Sequence, residues 1–221
     1  MRAIIWKDLR TIVYHPQKLL IINAALLGIL IWVVMSKGDI LKTSDSTFLL
    51  FLMPLVMLMN VYQFSFQLIY SEKLNKSWEK ILYLFDTGQV FLAKSLVITL
   101  VSWVISIIFG SLFLIFNLLN GGSFPPLFVF LFSLFLLPVF AFILSELMVL
   151  IMSLIGQLIV VRIIFIPLFI AALTSVLEAG KYSLDIQLFK LAIYTAIGIG
   201  ISFLLFLLTK KISKERLVTS S

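Results

Sequence analysis

Cysteine is absent from the 221 residues, and histidine occurs once, at His15. The first absence excludes disulfides, thiolate metal sites and cysteine nucleophiles. The second excludes a histidine-based metal cluster and makes a Ser-His triad improbable, because His15 lies in a basic amino-terminal segment. Charge is also scarce, at 12% of residues. No G-x-x-x-x-G-K-[ST] segment occurs, so the chain has no phosphate-cradling loop of that kind. Long polar intervals are missing too. Ser36 to Ser46, Asn120 to Pro126 and Glu178 to Gln187 are too short to hold a folded domain, and only Ser71 to Lys94 is substantial.

What the chain has instead is apolar mass. Hydrophobic residues make up 62% of it and 21 are Phe, with a mean hydropathy of +1.19. A water-soluble domain of this size could not hide that much apolar surface, so the expected class is an all-α integral membrane protein. Crossing a hydrocarbon core of about 30 Å takes roughly 20 apolar residues. Six windows qualify as spans, at about 19–35, 47–70, 95–119, 127–153, 159–177 and 188–208, within a single transmembrane domain covering 1–221. The first reads as a retained span rather than a secretory signal, since no small-residue cleavage site and soluble domain follow it.

With the amino terminus inside, all but four of the 17 basic residues fall on the cytoplasmic side, the exceptions being Lys37, Lys42, Lys181 and Lys190. This bias predicts a multi-pass protein of the cell membrane with both termini cytoplasmic. It also accounts for the pI near 9.7 without nucleic acid, because the charge sits in short loops rather than in one basic patch.

Two amphipathic segments flank the early spans. In residues 3–17, Ile5, Trp6, Leu9, Ile12 and Val13 recur at helical spacing opposite Lys7, Asp8, Arg10 and Thr11, which predicts a helix lying on membrane lipid at the interface. In the cytoplasmic segment 71–94, Trp78, Ile81, Leu82 and Phe85 fall at i, i+3, i+4 and i+7, with Glu79, Lys80, Tyr83 and Asp86 on the other side. Thr87 and Gly88 are expected to end that short helix, and Lys94 to mark the membrane boundary of the third span. Such a helix can lie on lipid or enter a partner's groove.

The residues Trp6-Lys7-Asp8-Leu9-Arg10, the cluster Ser71-Glu72-Lys73, the run Trp78-Glu79-Lys80-Ile81-Leu82 and Lys94 together resemble the permease subunit of a type-2 ABC transporter. The likeness covers the whole chain in topology and, in residues, Ile5 to Arg10 and Glu72 to Lys94. Members of that family often carry proline after the short helix, where this chain has Asp86-Thr87-Gly88. The resemblance implies a coupling helix that docks on a separate ABC ATPase subunit through Glu72, Trp78, Glu79, Ile81, Leu82 and Phe85. It implies a second permease subunit, the same chain or a related one, and ATP with Mg bound in the partner ATPase rather than in this chain. The chain itself would be a non-catalytic subunit.

Polar residues inside the spans are candidates of another kind. Asn60, Gln63 and Gln67 lie along one face of the second span, and buried amides need partners or water. They read as lining of a translocation path or as hydrogen-bonding glue between helices. Glu146 and Arg162, in the fourth and fifth spans, read as an interhelical ion pair. Ser102, Ser106 and Gly110, and Ala196 with Gly200 or Gly198 with Ser202, form small faces that read as close helix packing.

The expected function is therefore the membrane-spanning permease subunit of an ABC exporter of a peptide, lipid or hydrophobic drug-like cargo. The alternative is an ion-coupled secondary transporter or channel that does not use ATP. A membrane-embedded enzyme would need a catalytic constellation, and none is visible. A non-transporting scaffold or immunity protein is a further rival.

Overall fold

The computed structural model describes residues 1–14, 23–24, 28, 45–119, 127–155, 184–212 and 217. The described residues are helical throughout, joined by short turns, with no strand. α1 is Arg2–Tyr14, and α2 is Asp45–Ser65, which runs through a π-helical turn, Phe66–Tyr70, into α3, Ser71–Leu74. α4 is Ser77–Leu84 and α5 is Thr87–Leu119. α6, Leu127–Leu131, passes through a second π turn, Phe132–Leu136, into α7, Leu137–Ile155, and α8 is Leu184–Lys211.

Among the described residues four helices are long and apolar enough to cross a membrane: Leu52–Leu74, Thr87–Phe116, Val129–Leu154 and Ala192–Lys211. They match the second, third, fourth and sixth expected spans. The windows at 19–35 and 159–177, and with them Arg162 and His15, lie outside the described residues except for Asn23, Ala24 and Gly28.

α2, α5 and α7 form the centre, each packing on the other two, and α8 packs on α7 and α5. Close approach is built in at two glycines. A Cβ on Gly110 of α5 would meet the Met53 side chain of α2 at 3.0 Å, and one on Gly198 of α8 would meet Val139 Cγ1 of α7 at 2.7 Å. The Ser102-Ser106-Gly110 face is buried as expected. Of the two small faces on α8, Gly198 is packed, while Gly200 has open space around it.

The second π turn has a local cause. Pro138 has no N–H and its ring crowds the carbonyl of the preceding turn, so the ladder cannot continue regularly. The Leu137 N–H reaches back five residues to the Phe132 carbonyl. The Ser133 carbonyl, whose donor in that pattern would be Pro138, accepts the Trp103 indole N–H of α5 at 2.9 Å. An irregularity dictated by one proline is thus tied to a neighbouring helix.

One end of the bundle gathers the charges. Lys73 donates to the Ser153 carbonyl at the end of α7, and a Cβ on Gly88, in the first turn of α5, would meet Lys210 Cγ near the end of α8 at 3.0 Å. α1 lies across the start of α5 at this same end. Between α3 and α4 the chain reverses through Asn75 and Lys76, with Lys76 in the left-handed region at φ 54°. For a residue with a Cβ that conformation costs about 1–2 kcal/mol. Bonds from Lys76 N–H to the Lys73 carbonyl and from the Ser77 hydroxyl to the Glu72 carbonyl hold the turn.

Candidate functional site

The site is built by three segments far apart in sequence. α4 turns its apolar face inward: Trp78, Ile81 and Leu82 are buried and Phe85 is half-buried. Trp78, with no exposed surface, meets Phe91 of α5 edge-on at 6.2 Å between ring centroids, a geometry worth about 0.5–1.5 kcal/mol beyond area burial. The helix ends at Phe85, which is extended. Thr87 and Gly88 do not break the chain as expected; they begin α5, and the Asp86 carbonyl accepts the Val90 N–H at 3.0 Å. Asp before a helix is a standard start signal, and that signal outweighed the glycine.

Because α5 starts early, Lys94 stands two turns inside a helix and is fully buried, rather than marking an exposed boundary. A buried ammonium requires counter-ions. Its nitrogen lies 3.2 Å from Asp8 Oδ2 and 2.8 Å from Glu72 Oε2. The contact to Asp8 is a hydrogen bond, whereas the Glu72 contact is an ion pair without hydrogen-bond geometry. Lys7 donates to Glu72 Oε1 and lies 3.8 Å from Asp8. The Lys94 nitrogen also sits 5.7 Å from the centroid of the Trp78 ring, a cation–π contact that gains strength where water is excluded. Two cations and two carboxylates thus close into a neutral cluster that ties α1, α3 and α5 together, with the Trp78 ring of α4 as its wall.

This geometry corrects the expected face of α1. The buried residues are Ile4, Asp8 and Ile12, with Ile5 and Leu9 partly buried, while Trp6 is 71% exposed and Val13 points outward. Asp8 was expected on the polar outer face; the unmatched charge of Lys94 draws it in. Burial holds the Asp8 carboxyl above its ordinary range; Lys94 pulls it down, Glu72 pushes it up and Lys7 pulls it down. Lys7, Asp8 and Lys94 were not singled out as site residues. The signal was nonetheless present: a lone lysine inside the apolar run Val90 to Leu100 demands a buried acid.

Of the six expected docking residues, Glu72 lies on α3, Trp78, Glu79, Ile81 and Leu82 lie on the inner side or flank of α4, and Phe85 closes that helix. Glu72, Trp78, Ile81 and Leu82 are buried, and Glu79 and Phe85 are half-buried. The outward face of the same helix is Lys80, Tyr83 and Leu84, the last two 72% and 76% exposed.

Deeper in the bundle, Asn60, Gln63 and Gln67 are all buried. Asn60 exchanges two amide hydrogen bonds with Asn23, at 3.1 and 3.2 Å, and donates to the Val56 carbonyl. Neither side-chain amide atom of Gln63, nor Oε1 of Gln67, has a hydrogen-bond partner among the described residues. Glu146 is 4% exposed. Ser202 of α8 stands near it, but neither the Glu146 Oε2 nor the Ser202 hydroxyl has a hydrogen-bond partner among the described residues. Its expected partner, Arg162, lies outside them.

At the charged end the ions are paired with one another. What the arrangement offers is mechanical: an outward helix face braced by a buried charge cluster. No protein family, curated protein or solved structure matches this chain.

Proposed function

We propose that this chain is the permease subunit of a type-2 ABC transporter, exporting a peptide, lipid or hydrophobic drug-like cargo with ATP hydrolysed, with Mg, in a separate ATPase subunit. On this reading two permease subunits assemble with two ATPases, and the charged end of the bundle is cytoplasmic. The observation that carries the reading is convergence. The two segments that bear the family resemblance, Ile5 to Arg10 and Glu72 to Lys94, meet in one buried cluster although Asp8 and Lys94 are 86 residues apart. A force applied to α4 reaches α5 through Trp78 and α1 through Glu72, so a partner's movement at the surface would be transmitted to the spans. Docking falls on Lys80, Tyr83 and Leu84, while Trp78, Ile81 and Leu82 anchor the helix from inside.

The test is co-purification in mild detergent from the native cell, with identification of any recovered subunit that carries a nucleotide-binding P-loop. The intact chain should recover such an ATPase, and Tyr83→Ala with Leu84→Ala should lose it while the membrane subunit stays monodisperse. Failure of the intact chain to recover an ATPase in several detergents would overturn the proposal. The alternative, an ion-coupled transporter or channel, draws support from Glu146 and from the two π turns in spanning helices, and ion flux into vesicles containing the chain alone would then decide it.

A further inference from the structure

Along the seam between α7 and α8 lies a cavity of about 300 Å³, at the lower end of the range for small-molecule sites. Its walls are apolar side chains of α2, α7 and α8, including Pro54, Val139, Ile143 and Ile201, and Tyr194 is the one polar side chain among them. Gly198 belongs to the same wall. Ile143 and Val139 stand three and seven residues before Glu146, and Gly198 four residues before Ser202. The faces that line the cavity therefore continue, one turn on, to Glu146 and Ser202.

Glu146 and Ser202 do not line the cavity themselves but follow its lining residues by about one turn on α7 and α8, and there the interior is chemically unfinished. Glu146 is buried with one carboxylate oxygen unbonded among the described residues. Three lysines on the surrounding helices are engaged elsewhere, Lys73 on the Ser153 carbonyl, Lys94 on Asp8 and Glu72, and Lys210 over the Phe206 ring, and Lys211 is exposed at the far end of α8. A buried carboxylate without a cation is costly in hydrocarbon, whereas an apolar cavity takes up hydrocarbon readily because it is dry. One class of molecule satisfies both requirements, an apolar body carrying a single positive charge.

We propose that the α7–α8 seam binds a lipophilic cation, its apolar part in the cavity and its charged nitrogen at Glu146. This names a cargo class on the permease reading. Binding needs no ATPase, so it is testable where that reading fails and can fail where that reading holds.

The probe is an alkyltrimethylammonium bearing a diazirine on its chain, photolysed with the full-length protein in lipid nanodiscs and located by peptide mass spectrometry. Adducts should fall on the peptides holding Ile143 and Ile201. Unlabelled alkyltrimethylammonium should compete for them and the neutral alcohol of equal chain length should not. Glu146→Gln, close to the native side chain in shape, should weaken competition about ten- to hundredfold, the scale of one lost ion contact. Gly198→Leu, which fills the wall, should abolish the adducts while Gly200→Leu, in open space, should not. Equal competition by the alcohol, unchanged affinity in Glu146→Gln, or adducts spread evenly over the spans would each overturn the proposal.

Discussion

The charged end of the bundle and the α7–α8 seam handle buried charge in opposite ways. At the charged end Lys94 faces two carboxylates, Asp8 and Glu72, and Lys7 balances the second. About 10 Å deeper, judging from the seven residues between Glu146 and Ser153 at the helical rise, Glu146 has a hydroxyl for company and Gln63 has no partner among the described residues. A closed cluster resists change, because removing any member strands another. An open one invites something to complete it. The difference separates a brace from a binding surface within one set of helices.

Breaking the brace should have the largest effect. Lys94→Met leaves Asp8 and Glu72 buried without their shared cation, a loss on the order of 3–5 kcal/mol. It should read as a large drop in thermal stability in detergent and as protease access to α1. Combining it with Asp8→Asn and Glu72→Gln should recover part of the loss; an equal or larger loss in the triple variant would show that the charges act independently.

Overpacking the seam comes next. Gly198→Val forces a side chain toward Val139 and should destabilise by about 1–3 kcal/mol, with Val139→Ala restoring much of it. Full stability in the single variant would mean that α8 is not held against α7 at this point.

Gln63 sharpens the comparison by sign. Since its amide has no described partner, Gln63→Leu should be neutral or stabilising by about 1 kcal/mol, unlike any substitution in the ion cluster. Asn60 is the control, because its amide is partnered. A double-mutant cycle of Asn23→Ala with Asn60→Ala should give a coupling of about 0.6 kcal/mol, the average for such bonds in membranes.

The smallest expected effect is a pH slope. The Asp8 carboxyl is held above its ordinary 3.8, chiefly by burial, so the folded chain takes up its proton more readily than the unfolded chain. The resulting contribution to stability is complete below about 3.8 and is lost as pH rises through the raised value. Melting curves across that window should lose this component in Asp8→Asn, and an unchanged slope would assign it to another group.

Much of this was legible because it is local. Composition and run length announce helices in lipid, and the second, fourth and sixth expected spans stand within a few residues of Asp45–Tyr70, Leu127–Ile155 and Leu184–Lys211, while the third, expected from 95, begins eight residues earlier, at Thr87. The inward set of α4, Trp78, Ile81 and Leu82, follows from period 3.6 alone. The same rule failed on α1 at Asp8, which it put on the polar face although the side chain is buried. Periodicity weighs each side chain by its own solvation, and Asp8 is solvated by an ion that arrives from 86 residues away.

The sequence by itself determined the solvent, the helical class, the length of the spans and the amphipathic face of α4, since each depends on neighbours within a few turns. Packing alone put Lys94 inside, turned Asp8 to meet it and brought Glu146 beside Ser202. Those outcomes depend on which helices pack together. An ionisable group in a low-dielectric interior takes its place from the partner that packing supplies.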